Sequence, residues 1–97
     1  MQGSRLMEQV KAAIRVRHYS RKTEKAYCYW IRFFIRFHRM RHPMEMSELE
    51  VSDFLSFLAV NRQVSASTQN QAFNALLFLY KQVLEKLFEN INGVVRA

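Results

Sequence analysis

The sequence predicts an all-α protein, a compact bundle of four helices in a single domain that spans residues 1–97. Helix is favoured because proline and glycine are scarce (Pro 1, Gly 2), whereas Leu, Phe, Met, Lys, Arg, Glu and Gln are abundant. Apolar residues also recur at intervals of three and four along four segments, which is the spacing of one helix face. They form 49% of the chain, enough to bury one modest core.

The first predicted helix spans about residues 5–16, with Ser4 as its expected N-cap. Its buried side is expected to consist of Leu6, Val10, Ala13 and Ile14. The second spans about residues 21–39, and Ser20 or Lys22 precedes its first turn. It is expected to end before Pro43, because the residue that precedes a proline is disfavoured in the helical region. The opening residues 1–4 are interpreted as either native or a remnant of cloning.

The third predicted helix spans about residues 48–61 and has the clearest start signal. Ser47 and Glu50 have the spacing of a capping box, and Met46 and Val51 flank it as a hydrophobic staple. Its buried stripe is expected to be Val51, Phe54, Leu55 and Leu58.

The fourth predicted helix spans about residues 66–89. Ser65 or Ser67 caps it, and Asn92-Gly93 ends it. Its apolar positions are Phe73, Leu76, Leu77, Tyr80, Leu84 and Leu87. When the four helices pack together, the expected core contains Trp30, Phe34, Phe54, Leu58, Phe73, Leu77 and Tyr80.

Positive charge is concentrated in the first half of the chain. Residues 1–42 contain eleven basic and two acidic residues (+9), and residues 43–97 contain four basic and six acidic residues (−2), which gives the net charge of +7. This asymmetry predicts one electropositive face and a polyanionic partner. The single cysteine, Cys28, excludes an intrachain disulfide and favours a reducing cytoplasm. No apolar run is long enough to predict a membrane span.

The second helix is predicted to carry a basic stripe. At about 100° per residue, six side chains fall within roughly a third of the helix circumference: Lys22, Lys25, Tyr29, Arg32, Arg36 and Arg39. The opposite side is apolar and consists of Tyr27, Trp30, Ile31 and Phe34. A stripe about 25 Å long can follow a row of phosphates. The alternatives are a solvated face, which normally mixes charges of both signs, and a membrane surface, for which the aromatic residues are not free because the core needs them.

The start of the fourth helix is rich in amides and hydroxyls. Ser67, Asn70, Gln71, Asn74 and Lys81 share a face away from the apolar positions, and Thr68 and Gln69 lie in the same turns. Asn and Gln can pair with both edge groups of adenine, and a helix N-terminus favours phosphate. The alternative is an ordinary polar helix start, and these residues alone do not decide between the two.

Catalytic and metal-binding patterns are incomplete. His38 and His42 have the spacing of two ligands on a helix, but Pro43 interrupts that helix and no carboxylate completes the set. Paired carboxylates, a nucleophile elbow and a glycine-rich phosphate loop are not found. The sequence therefore predicts no catalytic residue, no metal and no cofactor.

Two stretches of sequence resemble a known family. Residues 19–27 (YSRKTEKAY), followed by Trp30-Ile31 and Phe37-His38, resemble the opening of the N-terminal domain of tyrosine recombinases. Arg41-His42-Pro43 and residues 68–80 (TQNQAFNALLFLY) look like the integron integrase branch. The resemblance covers nearly the whole chain. Residues 85–90 depart from the family pattern, which usually has a glycine nearby.

The resemblance implies a core-binding, SAM-like bundle of a phage-integrase-type enzyme in a bacterial cytoplasm. Such a domain forms half of a clamp around recombination-site DNA, either duplex or folded single strand, and works with other recombinase protomers. In the family the second and fourth helices cross the DNA near the major groove. The catalytic residues lie in a second domain, so this chain alone is not expected to be an enzyme, and residues 93–97 look like the start of the linker to that domain.

The basic stripe, the loop before it and the start of the fourth helix together form the expected DNA-binding surface. Its expected contacts are Arg17, His18, Ser20, Arg21, Lys22, Thr23, Lys25, Tyr29, Arg32, Arg36, Ser67, Thr68, Gln69, Asn70, Asn74 and Lys81. The alternatives are a helical protein-interaction adapter, which would need an exposed apolar patch, and an RNA-binding protein, which would need aromatic side chains on the basic face. A complete enzyme is disfavoured by the missing catalytic patterns.

Overall fold

The computed structural model describes residues 2–86, and their side chains from Arg5 onward. The helices are α1 (Gln2–Val16), α2 (Arg21–Phe37), α3 (Glu48–Val60) and α4 (Ala66–Phe78), with a single 3-10 turn at Pro43–Glu45 and a π-helical continuation of α4 at Leu79–Val83. Residues 2–86 contain no strand. The predicted all-α bundle of four helices is therefore confirmed.

Three of the four helices begin at serine caps. Ser20 Oγ accepts a hydrogen bond from the backbone N–H of Thr23 at 3.1 Å, which selects Ser20 over Lys22 as the cap of α2. Ser65 makes the same bond to Thr68 at 3.1 Å and is the cap of α4. The predicted capping box of α3 is present. These side chains satisfy backbone donors that have no partner inside the helix.

The capping box of α3 is joined to the connection before it. Glu50 accepts from the backbone N–H of Ser47 at 2.7 Å and forms an ion pair with Arg41 at 3.6 Å. The flanking staple residues Met46 and Val51 are both buried, as predicted.

The predicted start of α1 and the predicted end of α2 are wrong. The N-cap of α1 is not Ser4, because the helix already begins at Gln2. α2 ends at Phe37 rather than at Arg39, since Arg39 and Met40 adopt φ values of 59° and 64°. The N–H of Met40 then bonds to the carbonyl oxygen of Ile35 at 2.8 Å, which closes the helix end and turns the chain toward Pro43.

The fourth helix ends earlier than predicted. After Phe78 its hydrogen bonds widen to the π pattern, and the helical residues stop at Val83 instead of continuing toward residue 89. Glu85 adopts a left-handed φ of 53°, and the N–H of Lys86 reaches the carbonyl oxygen of Tyr80 at 2.8 Å. The predicted stop at Asn92-Gly93, the apolar position Leu87 and the linker at 93–97 lie outside the described residues.

The core contains most of the predicted apolar positions. Its largest fully buried side chains include Tyr80, Phe34, Phe54, Ile14, Ile31, Leu58 and Leu76. Leu77 is a wrong prediction, because 36% of its surface is exposed. The buried face of α4 instead follows Ala72, Ala75, Leu76, Leu79 and Tyr80. Leu77 lies about 100° from Leu76 around the helix, which takes it out of that face. Phe73 is only half-buried, at the edge of the core.

The packing places the two predicted DNA-binding helices side by side. α2 packs more extensively against α4 than against α1 or α3. Phe78 of α4 lies 5.4 Å from Tyr27 of α2, measured between ring centroids. Among residues 2–86, no helix is long and apolar enough to cross a membrane.

Candidate nucleic-acid interface

The basic stripe of α2 faces the solvent. Lys22, Lys25, Tyr29, Arg32 and Arg36 are all exposed, whereas Cys28, Trp30, Ile31 and Phe34 are buried on the other side. Arg39 is exposed too, but it lies beyond the end of the helix and does not continue the row. The stripe therefore consists of four cations and one tyrosine on a helix whose apolar side is buried in the core.

Tyr29 is held in place by other aromatic rings although half of its surface, 50%, is exposed. Its ring meets Trp30 edge-on at 4.9 Å and Phe33 at 6.1 Å between centroids. Perpendicular pairs of this kind are favoured by the charge distribution of aromatic rings. The phenol is thus presented in a fixed position between the cations of the stripe.

The predicted contacts in the loop before α2 differ in whether other residues of the fold already bind them. His18 and Arg21 are exposed, and His18 turns the chain with a φ of 58°. Arg17 is tied to the fold: its guanidinium donates to the carbonyl oxygen of Ala13 at 2.9 Å and to Oε1 of Gln82 at 2.6 Å. It also lies over the ring of Phe78, 5.6 Å from the centroid. Arg17 therefore links α1 to the end of α4, and its charge is only partly available to a ligand.

Two of the predicted hydroxyl contacts serve the start of α2. Ser20 Oγ donates to Oγ1 of Thr23 at 3.1 Å in addition to capping the Thr23 N–H. Ser20 is exposed and Thr23 is partly buried. Both hydroxyls are thus already engaged in the cap, on the edge of the basic stripe.

The predicted face of α4 is largely present. Ser67, Asn70, Gln71, Asn74 and Lys81 are exposed. Thr68 is partly buried, and its hydroxyl accepts from Ser65 at 3.0 Å in the helix cap. The exposed amides of Asn70 and Asn74 are one turn apart, which places them in line on one side of the helix.

Gln69 is the exception, and its predicted place on the surface is wrong. Only 5% of its surface is exposed, and its side-chain Nε2 donates to the carbonyl oxygen of Leu55 at 3.0 Å. The amide therefore joins α4 to α3 inside the protein. A buried side-chain amide needs a hydrogen-bond partner, and the carbonyl oxygen of Leu55 is the partner of Gln69.

Two cations that the sequence did not single out lie beside the stripe. Lys11 of α1 shares a shallow groove with Lys25, Arg32 and Arg36. Arg62, just after α3, lines a second shallow depression with Tyr29 and Arg36, and its guanidinium lies 5.4 Å from the centroid of Phe33. Neither belongs to the periodic pattern of α2, so only the packing of three helices reveals that the cationic surface is wider than one helix.

The two histidines that have the spacing of metal ligands have structural partners. His38 Nε2 lies 2.8 Å from the carbonyl oxygen of Glu50, and His42 Nδ1 accepts from the N–H of Met44 at 3.1 Å. Within residues 2–86, no group of three His, Cys, Asp or Glu side chains is placed to hold a metal ion.

The fold and this surface define a small helical bundle with one cationic face. The family model of the phage integrase N-terminal SAM-like domain matches residues 6–90. Proteins named integrase/recombinase from Escherichia coli and Pseudomonas aeruginosa are each 49% identical to the chain over 84 residues, which cover 87% of this chain and 25% of theirs. The chain belongs to the phage integrase N-terminal SAM-like domain family. It spans a quarter of the length of these curated relatives.

The fold has a counterpart among solved structures. The chain superposes on the structure of XerA recombinase with a TM-score of 0.80 at 23% sequence identity, over 97% of this chain and 33% of the other. At this level of identity the likeness concerns the fold, and it agrees with the SAM-like bundle that the sequence resemblance implied.

Proposed function

We propose that this domain binds recombination-site DNA as part of a site-specific tyrosine recombinase of the integron integrase type. The basic stripe of α2 binds backbone phosphates, and the exposed amides of α4 contact base edges. Catalysis belongs to the remainder of the recombinase, in a domain that also closes the clamp around DNA and works with other protomers. The family membership of the chain and its resemblance to integron integrases in residues 41–43 and 68–80 support this proposal.

One observation carries the proposal: the exposed face of α2 holds Lys22, Lys25, Arg32 and Arg36 and no acid. Exposed helix faces that serve only solubility normally mix both signs of charge, because like charges one turn apart repel each other. A uniform row gains favourable energy when phosphates replace its small counterions. Tyr29, fixed between the cations, adds a hydroxyl donor.

The proposal is tested by titrating labelled DNA with the chain at several salt concentrations. Duplex, hairpin and single-stranded versions of one sequence distinguish the forms of DNA. Each phosphate contact contributes about −0.9 to the slope of log affinity against log salt. Lys25→Ala and Arg32→Ala are therefore each expected to flatten the slope by about 0.9.

The matched control is Arg5→Ala. Arg5 is an exposed cation of α1 that lies in a depression with Leu6, Gln9 and His42, none of which belongs to the stripe. Arg5→Ala should leave the slope unchanged. If all three variants retain the wild-type slope, the stripe is only a solvated face and the proposal is wrong.

A protein-interaction adapter is the second candidate, and exposed apolar side chains on residues 2–86 are its one supporting observation. These side chains include Val16, Met40, Leu49 and Val60. They lie on different helices and connections, whereas the cations are aligned along one helix. The alignment therefore favours a polyanion.

A further inference from the structure

A groove between α1 and α2 runs beside the basic stripe. It is lined by Lys11, Glu24, Lys25, Cys28, Tyr29, Arg32 and Arg36. Four of these seven side chains are cationic, and Lys11 is the one that comes from α1. Two helices thus direct positive charge into one open concavity, which a row of residues on a single helix does not do.

Glu24 is the one acid in the lining, and Arg15 neutralises it. The guanidinium of Arg15 donates through Nε to Oε1 and through Nη2 to Oε2 of Glu24, both at 3.1 Å. This two-point geometry is the preferred one for arginine and carboxylate. The hydrogen bonds from Arg15 lower the pKa of Glu24 below its ordinary value. The carboxylate is therefore charged but already paired, and it does not compete for the remaining cations.

The floor of the groove adds no negative charge. Cys28 lies there with 4% of its surface exposed. Burial raises the pKa of its thiol, so that the thiol stays protonated at neutral pH. Lys11 itself is only partly exposed, and it lines the same groove as Lys25 and Arg32.

We propose that this groove binds a backbone phosphate of DNA, with Lys11 as a phosphate-binding residue and α1 as a third DNA-contacting helix. The inference rests on the proposed function and extends it from α2 and α4 to α1. A phosphodiester fits because the groove is open and continuous with the stripe, so the strand can enter and leave along α2. Lysine and arginine from two sides can then contact the two free oxygens of one phosphate.

The first test compares Lys11→Ala, Lys11→Arg and Arg5→Ala in the salt titration with duplex DNA. Lys11→Ala should flatten the slope by about 0.9, whereas Lys11→Arg should keep it because the charge is retained. Arg5→Ala lies on the same helix and should have no effect. An unchanged slope for Lys11→Ala, or an equal change for Arg5→Ala, would overturn the inference. Unfolding in urea confirms that each variant is folded.

Arg32→Ala in the same series separates this inference from the proposed function. If Arg32→Ala flattens the slope and Lys11→Ala does not, DNA binds to α2 alone and only the phosphate site at Lys11 is wrong. If neither changes the slope, the proposed function fails as well.

The second test removes the guanidinium of Arg15 that pairs with Glu24. Arg15→Gln leaves the carboxylate unpaired in the groove and is expected to weaken DNA binding more than Arg5→Gln, which removes the same charge elsewhere on α1. Adding Glu24→Gln to the Arg15→Gln chain should restore the affinity. If Arg15→Gln and Arg5→Gln weaken binding equally, only net charge matters and no phosphate lies beside Glu24.

Discussion

The hydroxyl of Tyr80 donates a 2.7 Å hydrogen bond to the backbone carbonyl oxygen of Pro43, in the connection between α2 and α3. Lys86 reaches the same connection, and its Nζ donates to the carbonyl oxygens of Met44 at 3.1 Å and Met46 at 2.6 Å. Pro43 and Met46 are buried. The end of the fourth helix therefore holds the connection that follows the basic stripe through side-chain donors, and the Pro43 carbonyl also accepts from the N–H of Met46 at 3.0 Å.

Tyr80→Phe is expected to lower the free energy of unfolding by about 0.5–1.5 kcal/mol, because it removes one buried hydrogen bond to the Pro43 carbonyl, which keeps the N–H of Met46 as a donor. Tyr29→Phe is the control. It removes a hydroxyl from an exposed ring and should change stability by less than about 0.5 kcal/mol. Urea unfolding followed by circular dichroism measures both. Equal stability of the two variants would mean that the Tyr80 hydrogen bond contributes nothing.

Stability at high pH should also depend on Tyr80. Burial raises the pKa of its hydroxyl above the ordinary value of about 10. Because the folded pKa is the higher one, the stabilisation is complete below about pH 10 and is lost as the pH rises from there toward the folded pKa. In that window the wild-type chain should lose up to about 1.4 kcal/mol per pH unit more than Tyr80→Phe. Urea unfolding at pH 9, 10 and 11 checks this, and parallel curves for the two chains would contradict it.

Gln69 and Asn70 are adjacent in sequence and are expected to behave in opposite ways. Gln69→Leu should destabilise the fold by about 0.5–1.5 kcal/mol, since the hydrogen bond that joins α4 to the Leu55 carbonyl of α3 is lost. Asn70→Ala should leave stability within about 0.5 kcal/mol. It should reduce discrimination between a cognate and a mutated DNA site by about 1–3 kcal/mol. Unfolding and binding of both variants are measured in parallel, and a loss of discrimination confined to Gln69→Leu would reverse the two assignments.

Glu85→Gly is expected to stabilise the fold by about 0.5–1 kcal/mol. Glu85 has a left-handed φ of 53°, which a side chain with a Cβ atom disfavours and glycine adopts without strain. The control, Glu8→Gly, replaces an exposed glutamate inside α1 and should cost about 0.5–1 kcal/mol. Thermal unfolding distinguishes the two variants. If both are destabilised, the side chain of Glu85 stabilises the fold by more than the strain of its left-handed φ costs.

Local signals in the sequence predicted the helices well. The serines that cap α2, α3 and α4 and the proline after α2 act within a few residues of themselves, so their effect can be predicted without knowledge of the rest of the fold. The basic stripe is equally local, because a helix places residues three and four apart on one side wherever it packs. Glu85 has the left-handed φ that glycine favours, within the segment 85–90 where the family resemblance led us to expect a glycine.

The sequence by itself determined the four helices, the apolar side of α2 and the charged side opposite it. The tertiary structure alone decided three other points: Gln69 points inward to Leu55, Leu77 lies at the surface, and Lys11 joins the cations of α2. The reason is physical. Periodicity defines a face only to within about one residue, or 100° of rotation, and the neighbouring helices determine the final rotation of each helix. The rotation of α4 is fixed by its packing against α2 and α3, and it cannot be predicted from the sequence pattern of α4 alone.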